Sequence, residues 1–234
     1  MPPLSFMQLL WTHWLWALPG ALVGLWLVPL ARFIPRMVLQ GARAPLHEWQ
    51  GPGGGLEQPV PPARRLWVPL LNACLWVIAA GSSAHHPFWA AILPAALASS
   101  LLLLALIDWD TTMLPDWIVL PLGLAGLFSS YAGLTRHSLI AALASAVVIF
   151  GLLGGLGLMF QRLKGDSGIG GGDIKLLAAL ATWWGVVGVL YILFWAGLLT
   201  VAWNLLWRRF KRLDKEAEWP FGPAIVLAAL LWIL

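Results

Sequence analysis

The chain has 234 residues, of which 60% are hydrophobic and only 10% charged, with a mean hydropathy of +0.82. Too few polar side chains remain to cover a soluble globule of that size, so most of the surface must face lipid. A formal charge of +4 and a single cysteine, Cys74, exclude little by their number but much by their placement: the basic residues lie in loops between apolar runs with no basic face for nucleic acid, and one cysteine builds neither an intrachain disulfide nor a cysteine metal cage.

In chain order, the first apolar run covers residues 9–30. It is long enough to span a bilayer, and no Lys or Arg precedes it within the first ten residues, so a retained first helix is expected rather than a cleavable leader. Residues 31–66 form the one sizeable polar stretch, and Gly51 to Gly55 with Pro59, Pro61 and Pro62 mark it as loop. Further apolar runs cover 67–81, 88–107, 117–134, 139–160, 174–207 and 220–234. Tryptophans stand near the ends of these runs (Trp11, Trp14, Trp16, Trp67, Trp89, Trp117, Trp207), where an amphipathic ring favours the headgroup boundary.

The run at 174–207 is too long for one span and short for two, and charge decides between them. If it is a hairpin turning near Trp183, Trp184 and Gly185, all but one of the 14 Lys and Arg residues fall on one side. Those residues are Arg32, Arg36, Arg43, Arg64 and Arg65, then Arg162, Lys164 and Lys175, then Arg208, Arg209, Lys211, Arg212 and Lys215; Arg136 alone stays outside. The positive-inside bias makes that side cytoplasmic. An all-α polytopic membrane bundle of about eight transmembrane helices follows, with the N-terminus outside and one cytoplasmic loop after the first helix. Residues 1–66 form the first helix and its loop, and 67–234 form the remaining bundle. One helix is short: residues 174–184 rise only about 16 Å against a hydrocarbon core of about 30 Å.

Of ten acidic residues, four gather at two cytoplasmic helix junctions: Asp108, Asp110 and Asp116 at one, Asp173 at the other. A cytoplasmic loop with three carboxylates and no Lys or Arg opposes the positive-inside bias, and acids at membrane depth are costly enough to suggest use. Read separately, each has a plain explanation. The first group terminates a helix before Pro115, with Asp116 opening the next, and Asp173 caps a helix after a glycine-rich loop. No P-loop is present, since the Lys-Ser/Thr ending is missing. Read together, Asp108 and Asp173 stand at cytoplasmic helix ends of one small bundle. Two carboxylates held close cannot both ionise easily, so one keeps a proton while the other acts as base, which is metal-free aspartic-protease chemistry. The glycines bare a backbone against which an extended peptide can lie. Lys175 either pairs with Asp173 or reaches for phosphate. His47, Glu48, Glu57, His85 and His86 read as solvated side chains.

Three segments carry a family resemblance: Ile107-Asp108 with Leu114-Pro115-Asp116 and Leu120-Pro121; Gly170-Gly171-Gly172-Asp173-Ile174-Lys175-Leu176-Leu177; and Pro220-Phe221-Gly222-Pro223 opening the last helix. They resemble, in order and spacing, the type IV prepilin peptidases, membrane aspartic peptidases of the GxGD class. The resemblance covers roughly the last 140 residues. It implies cleavage of the leader of type IV prepilins or type II secretion pseudopilins at the cytoplasmic face of a bacterial inner membrane. Asp108 and Asp173 would be catalytic, Asp110 the fallback for the first, and Gly170, Gly172, Lys175, Pro115 and Asp116 the supporting motif. Proteolysis needs no cofactor; N-methylation of the new N-terminus, which many members perform, uses S-adenosylmethionine. The loop after the first helix departs from the family, because it lacks the two Cys-x-x-Cys pairs that hold zinc in typical members, so no metal is expected. Ser167 stands where many members carry Glu.

Two other readings compete. A GxGD protease of the presenilin or signal-peptide-peptidase sort expects Tyr-Asp in the first motif, where this chain has Ile107-Asp108. A small proton- or cation-coupled transporter would use Asp108 and Asp173 as ion sites and would cut no leader.

Overall fold

The computed structural model describes residues 13–45, 55–83, 88–165, 170–211 and 220–233. Expectations for Trp11, His47, Glu48, residues 51–54, His85, His86, Ser167, Arg212 and Lys215 lie outside these residues, as do those for the side chains of Trp207, Arg208, Arg209 and Lys211. The described chain is helical, with no strand among its described residues: α1 (Ala17–Gly41), α2 (Arg64–Ser82), α3 (Ile92–Thr111), α4 (Asp116–Tyr131), α5 (Leu139–Lys164), α6 (Gly171–Lys211) and α7 (Gly222–Ile233), with 3-10 turns at Trp14–Trp16 and Phe88–Ala91. Five of these elements are long and apolar enough to cross a membrane: Trp14–Gly41, Arg64–Ser82, Phe88–Thr111, Leu139–Lys164 and Gly171–Leu206. The eight-span reading adds α4, α7 and a division of α6. That helix does break, at Gly185 (φ 70°, ψ 179°), where the charge pattern asks for a turn; only glycine adopts such angles without steric cost. The stretch before the break, Gly171 to Trp184, rises about 21 Å, still short of the hydrocarbon core.

The described residues divide into two compact units, one ending at Thr111 and joined by Ile233, the other Thr112–Trp232. In the first, α1 buries a single stripe, Gly20, Gly24, Leu27, Ala31, Pro35 and Leu39, at the three-to-four-residue spacing of one helix face. Small residues on that stripe bring the backbones close: a Cβ on Gly24 would lie 2.5 Å from Pro69 Cα of α2. Without a hydrophobic drive between helices in lipid, such close packing and buried polar contacts hold the helices together. Asn72 supplies one of those contacts, donating to Gly20 O at 2.7 Å and accepting from Ser99 at 2.9 Å, while Trp76 donates to Ser99 at 2.8 Å. α3 is apolar around nearly its whole circumference and is the most buried of the candidate spans.

In the second unit α4 lies parallel to the first half of α6. Thr182 donates to Gly123 O at 3.1 Å and Trp183 Nε1 to Leu122 O at 3.0 Å. α5 starts at Ser138, whose hydroxyl accepts from Ala141 N–H, and ends at Gly165 in the left-handed conformation, with Arg162 and Lys164 in its last turn. Beyond the Gly185 break, α7 packs on α6 through stacked Tyr191 and Trp232 rings 5.5 Å apart. Trp14, Trp67, Trp89 and Trp117 are exposed and Trp16 is half-buried.

Gly126 tests this packing. An added Cβ would meet the Thr182 hydroxyl and stand 2.7 Å from the Trp183 ring, whereas one on Gly151 of α5 meets nothing within 4 Å. Gly126→Ala is therefore expected to cost about 1–3 kcal/mol and Gly151→Ala to leave stability unchanged, read as melting in detergent. Equal behaviour of the two variants would refute the close α4–α6 contact.

Candidate functional site

The last turn of α3 carries two acids two positions apart. At 100° per residue Asp108 and Asp110 point about 200° apart around the helix, so one face cannot use both. Both are buried, Asp108 at 4% exposure and Asp110 at 0%. Asp110 is held by two guanidinium groups. Arg64 donates to its Oδ2 at 2.6 Å and Oδ1 at 3.0 Å, the two-pronged geometry that makes Arg–carboxylate pairs strong, and Arg32 Nε lies 2.8 Å from Oδ2.

Arg32 does more than pair. Its Nη1 donates to Gly55 O at 2.6 Å and Gln58 O at 2.9 Å, and Arg36 Nη2 donates to Leu56 O at 2.6 Å. These bonds strap the end of the loop onto α1, and Leu56 is only 1% exposed. The segment read as loop, residues 31–66, is in fact helical as far as Gly41 and again from Arg64, and the loop between them has an anchored end, whereas Glu57 in the same segment is exposed as expected. Beside the strap lies a cavity of about 460 Å³ whose wall includes Arg32, Arg36, Arg65 and an apolar strip of α1. In the sequence the arginines stand out only as markers of sidedness; an acid-only turn at a face rich in arginines is the available hint of pairing.

In the second unit the other motif residues meet. Pro115 leads into α4 in extended backbone (φ −65°, ψ 128°) and is followed at once by Asp116, a negative charge in the first turn of the helix. Lys175 Nζ donates to both oxygens of Asp116, at 2.9 and 2.8 Å, across 59 positions. The structure therefore gives Lys175 a carboxylate partner in Asp116, a pairing that local sequence does not suggest. Both side chains are nearly half exposed, so their coupling energy in a double-mutant cycle of Lys175→Met and Asp116→Asn is expected to stay below about 1 kcal/mol; a value of several kcal/mol would assign the pair a larger structural role.

Gly172 packs against Leu114: a Cβ added to this glycine would stand only 3.0 Å from Leu114 Cβ, and one on Gly170 would stand 3.0 Å from Asp173 Oδ2. Asp173 is half-buried in the first turn of α6, two residues inside the helix start rather than at its cap. Gly170 thus keeps a side chain away from its carboxylate. Asp108 belongs to the first unit and Asp173 to the second. Among the described residues no group of three or more His, Cys, Asp or Glu could hold a metal ion.

Comparison with known proteins covers these segments. Residues 95–205 match the type IV leader peptidase family, a stretch that contains every motif position from Asp108 to Lys175. A protein of Burkholderia pseudomallei named prepilin leader peptidase/N-methyltransferase is 37% identical over 158 residues, 66% of this chain and 50% of that relative. Proteins of the same name from Aeromonas hydrophila and Pseudomonas aeruginosa are 34% identical over 197 residues and 33% over 170, covering 80% and 70% of this chain and 66% and 58% of the relatives. The chain spans about half the length of the first of these relatives. No solved structure matches it. With the matching stretch running through both acid motifs and the relatives extending that likeness over most of the chain, this protein belongs to the type IV leader peptidase family.

Proposed function

We propose that this chain is an aspartic endopeptidase that removes the leader of type IV prepilins or type II secretion pseudopilins, with Asp108 and Asp173 as its carboxylate pair. The observation that carries the reading is the meeting of two motif segments 58 and 59 positions apart: Leu114 against Gly172 and Asp116 with Lys175. That contact joins the turn following Asp108 in sequence to the helix start that bears Asp173. It supports a site in which the ionised carboxylate takes a proton from water as the water oxygen bonds to the scissile carbonyl carbon. The protonated carboxyl then gives its proton to the amide nitrogen as the C–N bond breaks. The side-chain-free backbone at Gly170 favours an extended peptide, main chain first.

Asp110 is the weaker candidate for the first acid, because two arginines already occupy its oxygens. Residues 67–234 form the catalytic bundle in this reading, with 1–66 contributing Arg32 and Arg64. Arg32 and Arg36 in the second half of α1, and Arg162 and Lys164 in the last turn of α5, support eight membrane segments, an active site facing the cytoplasm and residence in a bacterial inner membrane. S-adenosylmethionine, which the relatives' second name implies, needs an environment that accepts a sulfonium cation. The cavity beside Arg32 has three arginines and no carboxylate in its wall, which does not fit that charge. The test is incubation of the purified protein with a pilin-type precursor and mass analysis of the product's N-terminus. Cleavage after the leader supports the peptidase; an uncut precursor that binds no better than an unrelated membrane helix would remove it in favour of an ion-coupled role.

A further inference from the structure

The cavity in the first unit has a polarity gradient along α1. Leu25, Val28, Pro29 and Phe33 form its apolar strip, and Arg32 and Arg36, joined by Arg65 of α2, form its basic end. Positions 25, 28/29, 32/33 and 36 recur at the spacing of one helix face, so the gradient runs along the helix axis. At 1.5 Å per residue Arg32 and Arg36 stand about 27 and 33 Å from Trp14, the thickness of a hydrocarbon core of about 30 Å. The guanidinium groups therefore lie at headgroup level and the strip beneath them at acyl-chain level. The basic end is preorganised, because the carbonyls of Gly55, Gln58 and Leu56 fix Arg32 and Arg36 without cancelling their charge. The nearest ion-paired carboxylate, Asp110, is already shared between Arg32 and Arg64.

A second observation concerns the charge that this wall carries. Arg32 is 7% exposed and forms part of the wall, and its Nη2, itself shielded from solvent, has no hydrogen-bond partner among the described residues, so the excess positive charge of this wall is poorly compensated from within. A buried charged donor without an acceptor is costly, and such groups ordinarily find a water or an ion.

We propose that this cavity is a binding site for one anionic phospholipid, its phosphate held by Arg32, Arg36 and Arg65 and one acyl chain lying along Leu25, Val28 and Phe33. Basic pockets between membrane helices bind acidic headgroups by this chemistry, and a volume of about 460 Å³ suits a headgroup with the start of a chain. Arg32 also pairs with Asp110 in the last turn of α3, so a lipid held by Arg32 bears on that turn as well as on the strap. The proposal stands apart from the peptidase reading, since binding is measured without precursor.

The test is native mass spectrometry of the full chain in detergent, titrated with phosphatidylglycerol or phosphatidylcholine. Phosphatidylglycerol is expected to bind more tightly. Arg36→Gln and Arg65→Gln, both at exposed positions, are expected to weaken it about fivefold each, while Arg162→Gln with Lys164→Gln on α5 leaves it unchanged. Leu25→Ser with Phe33→Ser keeps every arginine and should weaken the long-chain lipid while leaving its preference over phosphatidylcholine. Equal binding of the two lipids, or losses identical in the α5 variant, would overturn the site. Displacement by glycerophosphoglycerol or inorganic phosphate at concentrations comparable to the lipid would overturn the lipid assignment and leave a simple oxyanion site.

Discussion

Asp108→Asn and Asp173→Asn are each expected to slow cleavage of a pilin-type precursor at least about a thousandfold, the scale of general acid or base catalysis. The amide keeps the size of the carboxylate but can neither take a proton from water nor give one to the leaving nitrogen. Each variant should retain the melting temperature of the parent in detergent to within the cost of one polar exchange, so lost cleavage will not be a folding defect. Leader processing is read from the product's N-terminal mass in a purified reaction. If either variant cleaves at the parent rate, the pair assignment fails. If Asp110→Asn alone abolished cleavage while remaining folded, Asp110 would replace Asp108. Within the first unit, the opposed directions of residues 108 and 110 on α3 make that replacement a change of helix face and not a small adjustment.

Loss of the Asp110 charge should act first on stability. Asp110→Ala leaves Arg32 and Arg64, exposed by only 7% and 6%, as buried cations without their shared carboxylate. Breaking a buried pair in this way costs about 3–5 kcal/mol, because the remaining charge is uncompensated. The expected readout is a large fall in the detergent melting temperature and in the amount of folded protein recovered. Asp110→Leu combined with Arg32→Met and Arg64→Met removes the charges together and should recover much of that stability, although it also removes the bonds from Arg32 to Gly55 and Gln58. If the single variant melts like the parent, the ion-paired cluster carries none of the stability assigned to it.

The helical class of this protein follows from solvent and period, both of which are written in single segments. Long apolar runs in a chain this poor in charge have to satisfy their backbone polar groups within each segment, and helices are how a single run does so. The main candidate spans are therefore legible in the sequence, and so is the break in α6, because Trp183, Trp184 and Gly185 sit where charge placement demands a change of course and only glycine takes a φ of 70° cheaply. The acid motifs are legible as local signals, each at a helix end.

Which side chains pair is settled by the fold alone. Arg32, Arg64 and Asp110 come from three helices, and nothing in their local sequence says which arginine reaches which acid. Lys175 stands two positions from Asp173 yet bonds Asp116 across 59 positions, since residues two apart on a helix face away from each other. The burial of Leu56 likewise arises from what surrounds it. Hydrophobic pattern is a property of one segment, whereas a buried ion pair is a property of several segments brought together.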